Sequence, residues 1–79
     1  MSAYDMRDAL DALSVNAAWQ KMVAELRERQ EAIIRGLVHE QTPAEEREHL
    51  ATEYRLIESF IGWPSDYRQD VDNAIDAGL

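Results

Sequence analysis

The 79-residue chain has a formal net charge of −8 and no cysteine, which excludes disulfide bonds and thiolate metal sites. Its acidic residues are spread along the whole sequence, which argues against a surface for nucleic acid or an anionic membrane, because such surfaces need clustered Lys and Arg. A chain this short forms only a small core. We therefore expect one helical domain over residues 1–79 that gains stability by self-association or by docking on a larger partner.

The first residues predict an intracellular protein. Residues 1–5 have neither the basic region nor the long apolar run of a signal peptide. The apolar stretches are too short to cross a bilayer. We therefore expect a soluble protein of the cytoplasm with no membrane partner.

Four helices are expected, because Pro and Gly are few and no long stretch alternates between apolar and polar residues. The first, about residues 3–13, starts with a near capping box from Ser2 to Asp5. Asn16 can cap the second, about residues 17–40, through its side-chain oxygen. One continuous helix through Ser14 is the alternative, and the sequence leaves it open.

The third helix, about residues 43–61, has the clearest start in the sequence. Thr42 opens a capping box, and Pro43 takes the first helical position. Gly62 can end the helix in a left-handed conformation. Pro64 is expected to prevent the helix from continuing.

A fourth, acidic helix is expected over about residues 65–77, ended by Gly78. The break at residues 41–42 is short, so the second and third helices should lie antiparallel. The predicted fold is all-α, an antiparallel helical hairpin with short flanking N- and C-terminal helices. Heptad-like apolar stripes on the two long helices agree on one register. They predict a core of Val23, Leu26, Gln30, Ile33, Leu37, Leu50, Tyr54, Ile57 and Ile61.

Gln30 is the one polar residue in the predicted core, and the register places it opposite Tyr54. A hydrogen bond between the two residues would satisfy both. The alternative is that Gln30 points along the groove to water. The same register brings Trp19 beside Trp63 and Pro64 at the open end of the hairpin.

Catalysis has little support in this sequence. No nucleophile can be assembled with a base and an orienting group, and there is no Gly-rich loop. We therefore expect a protein that is not an enzyme and that uses no cofactor.

One pair of residues has the spacing of a metal site. Glu46 and His49 repeat the (i, i+3) pair of di-iron carboxylate proteins, and residues 45–56 resemble the second metal-binding helix of encapsulated ferritins. That family needs another Glu on the facing helix, where the predicted register places apolar residues near Leu37 and Ile34. The solvated-face interpretation is therefore preferred, no metal ligand is assigned, and a two-helix metal-binding protein is kept as an alternative.

Aromatic and acidic residues near the ends of the chain are the candidates for partner binding. Trp and Tyr dominate interface hot spots, although a small end-core that clamps the terminal helices explains the two Trp residues equally well. The Asp residues form either a solvated face or a docking surface for a basic protein. The predicted partner-binding residues are Trp19, Trp63, Tyr67, Asp70, Asp72 and Asp76.

The run from Asn16 to Gln20, the long heptad helix, the Pro-started helix with Tyr54–Ile57 and the closing Trp63-Pro64 form one layout. This layout, over about residues 16–64, resembles small helical proteins of tailed-bacteriophage head and assembly gene modules. The resemblance implies a structural or assembly protein that binds itself and a larger viral protein, in the host cytoplasm or in the virion. A small acidic inhibitor that occupies the nucleic-acid-binding site of a host protein is the alternative. In neither case is direct nucleic-acid binding expected.

Overall fold

The computed structural model describes residues 2–78 and contains three α-helices. They are α1 (Ala3–Ser14), α2 (Ala17–Val38) and α3 (Ala44–Asp76). The described residues contain no β-strand, so the predicted all-helical class is confirmed. None of these helices combines the length and the apolar character that a bilayer crossing requires.

Polar side chains cap the starts of α1 and α2. The Ser2 hydroxyl accepts from the Asp5 amide at 3.1 Å, and the Ser2 amide donates to the Asp5 carboxylate at 3.4 Å. The Asn16 side-chain oxygen accepts from the Trp19 amide at 3.0 Å. Both predicted caps are confirmed. The alternative of one helix through Ser14 is wrong, because the chain leaves the helical conformation at residues 15–16.

The turn between α2 and α3 differs from the prediction at Thr42. Its hydroxyl donates to the carbonyl oxygen of Gly36 at 2.7 Å, so it serves the end of α2 and not the start of α3. The last four carbonyls of a helix lack helical N–H partners, and the Gly36 carbonyl is one of these four because α2 ends at Val38. Thr42 therefore caps the C-terminus of α2, and the predicted role of its hydroxyl at the start of α3 is wrong.

The predicted break at Gly62 and Pro64 is wrong, because α3 is continuous through both residues. Gly62 keeps a helical backbone, and the glycine with positive φ is Gly78, at 80°. Pro64 costs its helix one N–H donor. Its ring is buried and lines one small cavity with Leu10 and Ser14 of α1, and this burial offsets the lost hydrogen bond. The expected fourth helix is thus the last part of α3, and its predicted end at Gly78 is confirmed by the Gly78 amide donating to the Ile75 carbonyl.

The helices form two compact units. The terminal unit comprises Met1–Lys21 and Gly62–Leu79, and the central unit comprises Met22–Ile61. The terminal unit packs α1 on the last part of α3, and its buried apolar residues are Leu10, Pro64 and Val71.

The central unit packs α2 on the first part of α3. The two helices run in opposite directions: the earlier Arg27 of α2 bonds to the later Glu58 of α3, whereas the later Gly36 of α2 lies close to a methyl group of the earlier Leu50. Of the nine predicted core residues, Gln30, Ile33 and Ile57 are buried. The other six are partly exposed: Val23, Leu26, Leu37, Leu50, Tyr54 and Ile61.

Candidate protein-binding surface

Two aromatic side chains of the terminal unit stand together on the surface of α3. Trp63 is 52% exposed and Tyr67 is 37% exposed. The two residues are four positions apart in the helix, so their side chains lie on the same face. The ring centroids are 5.8 Å apart and the planes differ by 13°, an offset stack that holds both rings in place. Large exposed aromatic residues are typical of surfaces that contact another protein.

A groove of about 280 Å³ lies next to this pair. Residues 67, 70, 71 and 74 of α3 line one wall, because their helical spacing places them on one face. The start of α1 lines the other wall. Asp70 is the one charged residue among those that line the groove, and the complete set is Ser2, Ala3, Met6, Tyr67, Asp70, Val71 and Ala74.

The other predicted partner-binding residues lie in the same unit with different surroundings. Trp19 is partly buried, at the start of α2. Asp70 and Asp76 are exposed on α3. Asp72 is partly buried, and its carboxylate accepts from Arg68 one turn earlier, so it already has a cationic partner within the unit.

Arg68 joins α1 to α3 within the terminal unit. Its Nε donates to the Asp11 carboxylate at 2.9 Å, and its Nη1 donates to Asp72. The hydrogen bond from Arg68 holds the pKa of Asp11 below its ordinary value, and the pKa of Arg68 is raised chiefly by the same bond. These contacts favour the charged form of each group and connect α1 to the last part of α3.

Gln30 is the centre of a polar network in the central unit. It is 3% exposed, so the alternative that it points to water is wrong. Its amide donates to the Glu58 carboxylate at 2.9 Å and to the Tyr54 backbone carbonyl at 3.4 Å, and its oxygen accepts from Arg27 at 2.7 Å. The predicted pairing of Gln30 with Tyr54 is therefore made through the backbone. The two charged partners were not predicted, since both lie at positions that the sequence pattern assigns to solvent.

Two ion pairs accompany this network. Arg27 bonds to Glu58, and Arg29 contacts both carboxylate oxygens of Glu53, one of them at 2.9 Å. The pKa of Glu58 is lowered, first by the hydrogen bond from Gln30 and then by that from Arg27. The pKa of Glu53 is lowered by its hydrogen bond from Arg29. Both ion pairs connect α2 to the first part of α3 within the central unit.

The Glu46–His49 pair is exposed on α3. Within residues 2–78, no three His, Asp or Glu side chains come close enough together to hold a metal ion. The (i, i+3) spacing alone supplies two side chains, and a metal site of this kind also needs carboxylates from a neighbouring helix.

A second concavity, of about 470 Å³, lies at the turn of the central unit, lined by Arg35, Val38, His39, Glu40 and Gln41. Arg47 closes this turn by donating to the carbonyl of His39 at 2.8 Å. The lining carries both a cation and a carboxylate and has no aromatic anchor besides the imidazole. The groove beside Tyr67 is smaller but combines an aromatic stack, an apolar floor and a single charge, which is the better arrangement for selective contact.

Comparison of the chain with protein-family models, with curated proteins and with solved structures gives no match.

Proposed function

We propose that this chain is a non-enzymatic binding protein that docks on a larger protein through the surface around Trp63 and Tyr67. The observation that carries the proposal is the stacked, half-exposed aromatic pair beside a groove. Two rigid aromatic rings offer a large contact area at a small cost in side-chain entropy, which is why such residues anchor interfaces.

The proposed setting is the assembly of a tailed-bacteriophage particle, in the host cytoplasm or in the virion. The sequence layout over residues 16–64 supports this setting. In this proposal α2 and the first part of α3 form the antiparallel hairpin of that layout, with Arg27 paired to Glu58 and Arg29 paired to Glu53.

Self-association is the second part of the proposal, and the central unit offers a surface for it. Several large apolar side chains of this unit are at least 38% exposed and are available for contact with a second copy. They are Met22, Ile34, Val38, Leu56 and Phe60. We assign contacts between copies to this unit and contacts with the larger protein to the terminal unit.

Two matched variants test this division. Trp63→Ala should abolish capture of the larger protein from phage-infected host cells and leave the native mass of the free protein unchanged. Leu56→Ala, which removes another exposed side chain of the same helix (66% exposed against 52% for Trp63), should retain capture and reduce the native mass to that of a monomer. Native mass spectrometry of tagged, co-purified complexes reads out both quantities. Capture that is unaffected by Trp63→Ala would contradict the proposal.

A phage-encoded inhibitor of a host nucleic-acid-binding protein is the second candidate. It is favoured by the carboxylates of Asp70 and Asp76, which are exposed and have no cationic partner among the described residues. This function requires both charges and predicts binding that weakens steeply with salt. Competition between this protein and nucleic acid for a host protein would distinguish it from the assembly function.

A further inference from the structure

We infer that the groove of the terminal unit binds an arginine side chain presented by the protein partner. This inference rests on the proposed function, because it names the chemistry that the partner must bring to that surface. The groove is smaller than the pockets of about 300–1,000 Å³ that hold drug-sized molecules, so one long side chain is a suitable occupant.

The walls of the groove match the two parts of an arginine side chain. Met6, Val71 and Ala74 provide apolar surface for the aliphatic stem. Tyr67 and Asp70 lie among these residues and provide an aromatic ring and a carboxylate for the charged end. An apolar ligand would leave the Asp70 carboxylate without a partner when the groove is covered, which is costly.

The charge of the terminal unit favours a cation. The unit contains three basic residues, Arg7, Lys21 and Arg68, and seven acidic ones, which are Asp5, Asp8, Asp11, Asp66, Asp70, Asp72 and Asp76. Arg68 is already paired with Asp11 and Asp72, and Arg7 lies over the Tyr4 ring, 4.0 Å from the Asp8 carboxylate. The groove therefore lies in a negative field that its own unit does not neutralise, and such a field attracts a cationic side chain.

Arginine fits this site better than lysine. A guanidinium group is planar, stacks on aromatic rings and forms two parallel hydrogen bonds to a carboxylate, whereas an ammonium group does none of these as well. The Tyr67 ring is held by its stack on Trp63, so the platform exists before the ligand arrives. This preorganisation lowers the entropic cost of binding.

The probe is N-acetyl-arginine N-methylamide, titrated into the isotopically labelled full chain and followed by amide chemical shifts. We expect shifts concentrated at Met6, Tyr67, Asp70 and Ala74, and smaller shifts with the matching lysine compound. Asp70→Asn should weaken binding by up to about fivefold, the upper limit for an exposed ion pair. Asp76→Asn makes the same change of charge at an exposed position of the same helix outside the groove, and it should leave binding unchanged.

Several results would overturn the inference. Shifts scattered over both units, equal binding of the lysine compound, or equal losses in the two Asp variants would each show nonspecific attraction to an acidic surface. The outcome is separable from that of the proposed function. If Trp63-dependent capture persists while the arginine probe fails, only the arginine site is refuted. If the probe binds in the groove while no larger protein is captured, only the proposed function is refuted.

Discussion

The terminal and central units place their polar and aromatic side chains in opposite ways. In the central unit a polar residue, Gln30, is 3% exposed and is bonded to charged side chains that reach over it. In the terminal unit the buried residues are apolar, and Trp63 and Tyr67 remain at the surface. A satisfied buried amide favours one specific packing of two helices. Exposed aromatic rings contribute little to folding and are available for contact. The difference supports the proposal that the terminal unit contacts the partner, while the Gln30 network favours one packing of the two helices of the central unit.

Substitutions of the buried apolar residues should have the largest effects on stability in this comparison. Ile33 of the central unit is 0% exposed and Leu10 of the terminal unit is 6% exposed. Each substitution to Ala should reduce the free energy of unfolding by about 2–5 kcal/mol, because a cavity remains where the side chain was. The larger loss is expected at Ile33, because its side chain is the more completely buried of the two. Urea denaturation followed by circular dichroism measures both.

Ile34→Ala is the control for Ile33→Ala, since the neighbouring side chain is 46% exposed, and at a protein concentration where the chain is monomeric its loss should change stability by less than about 0.5 kcal/mol. A larger loss for Leu10→Ala than for Ile33→Ala would contradict the expected order of the two losses.

The polar network gives the next largest effect. Gln30→Ala removes a buried amide that donates to Glu58 and to the Tyr54 carbonyl and accepts from Arg27, and it should cost about 1–3 kcal/mol because hydrogen bonds to charged groups are lost. Gln69→Ala in the terminal unit is the matched control, because Gln69 is exposed and bonds only to Asn73 one turn away. Thermal unfolding of the two variants should show a lower midpoint for Gln30→Ala alone. Equal midpoints would mean that the network does not stabilise the central unit.

Two helical glycines provide the smallest and sharpest contrast. A Cβ at Gly62 would meet the Asp66 carboxylate at an ordinary 3.6 Å, so Gly62→Ala should stabilise the terminal unit by about 0.5–1 kcal/mol through the lower backbone entropy of Ala. A Cβ at Gly36 would lie 2.9 Å from a Leu50 methyl, which must then move. We expect Gly36→Ala to lower stability, as overpacking does. Melting temperatures that rise in both variants would show that the Leu50 side chain moves away from the new Cβ at little cost in free energy.

The parts of the fold that depend on neighbours in sequence were predictable. The caps at Ser2 and Asn16 need a side chain and an amide three residues apart, and both formed as the pattern requires. Gly78 ends α3 for the same local reason. The break at Pro64 was predicted by a rule that is equally local, and it failed because the proline ring is buried against α1, which no sequence window contains.

The candidate surface was predictable in its residues but not in its shape. The sequence singles out Trp63, Tyr67 and Asp70 by type and spacing. The groove itself requires the start of α1 to pack beside residues 67–74 of α3, and this packing depends on residues far apart in the chain. Asp72 is a different case, because Arg68 lies four residues earlier on the same helix, and this (i, i+4) spacing of opposite charges is visible in the sequence.

The half-exposed Trp63 ring also gives the protein an optical signal of its own. Indole emission depends on the polarity around the ring, so covering Trp63 with a partner should shift its fluorescence to shorter wavelength. The other indole, Trp19, is already partly buried at the start of α2 and would change less. Replacing Trp19 with Phe would leave a single emitter next to the groove, and binding could then be followed in solution without an added label.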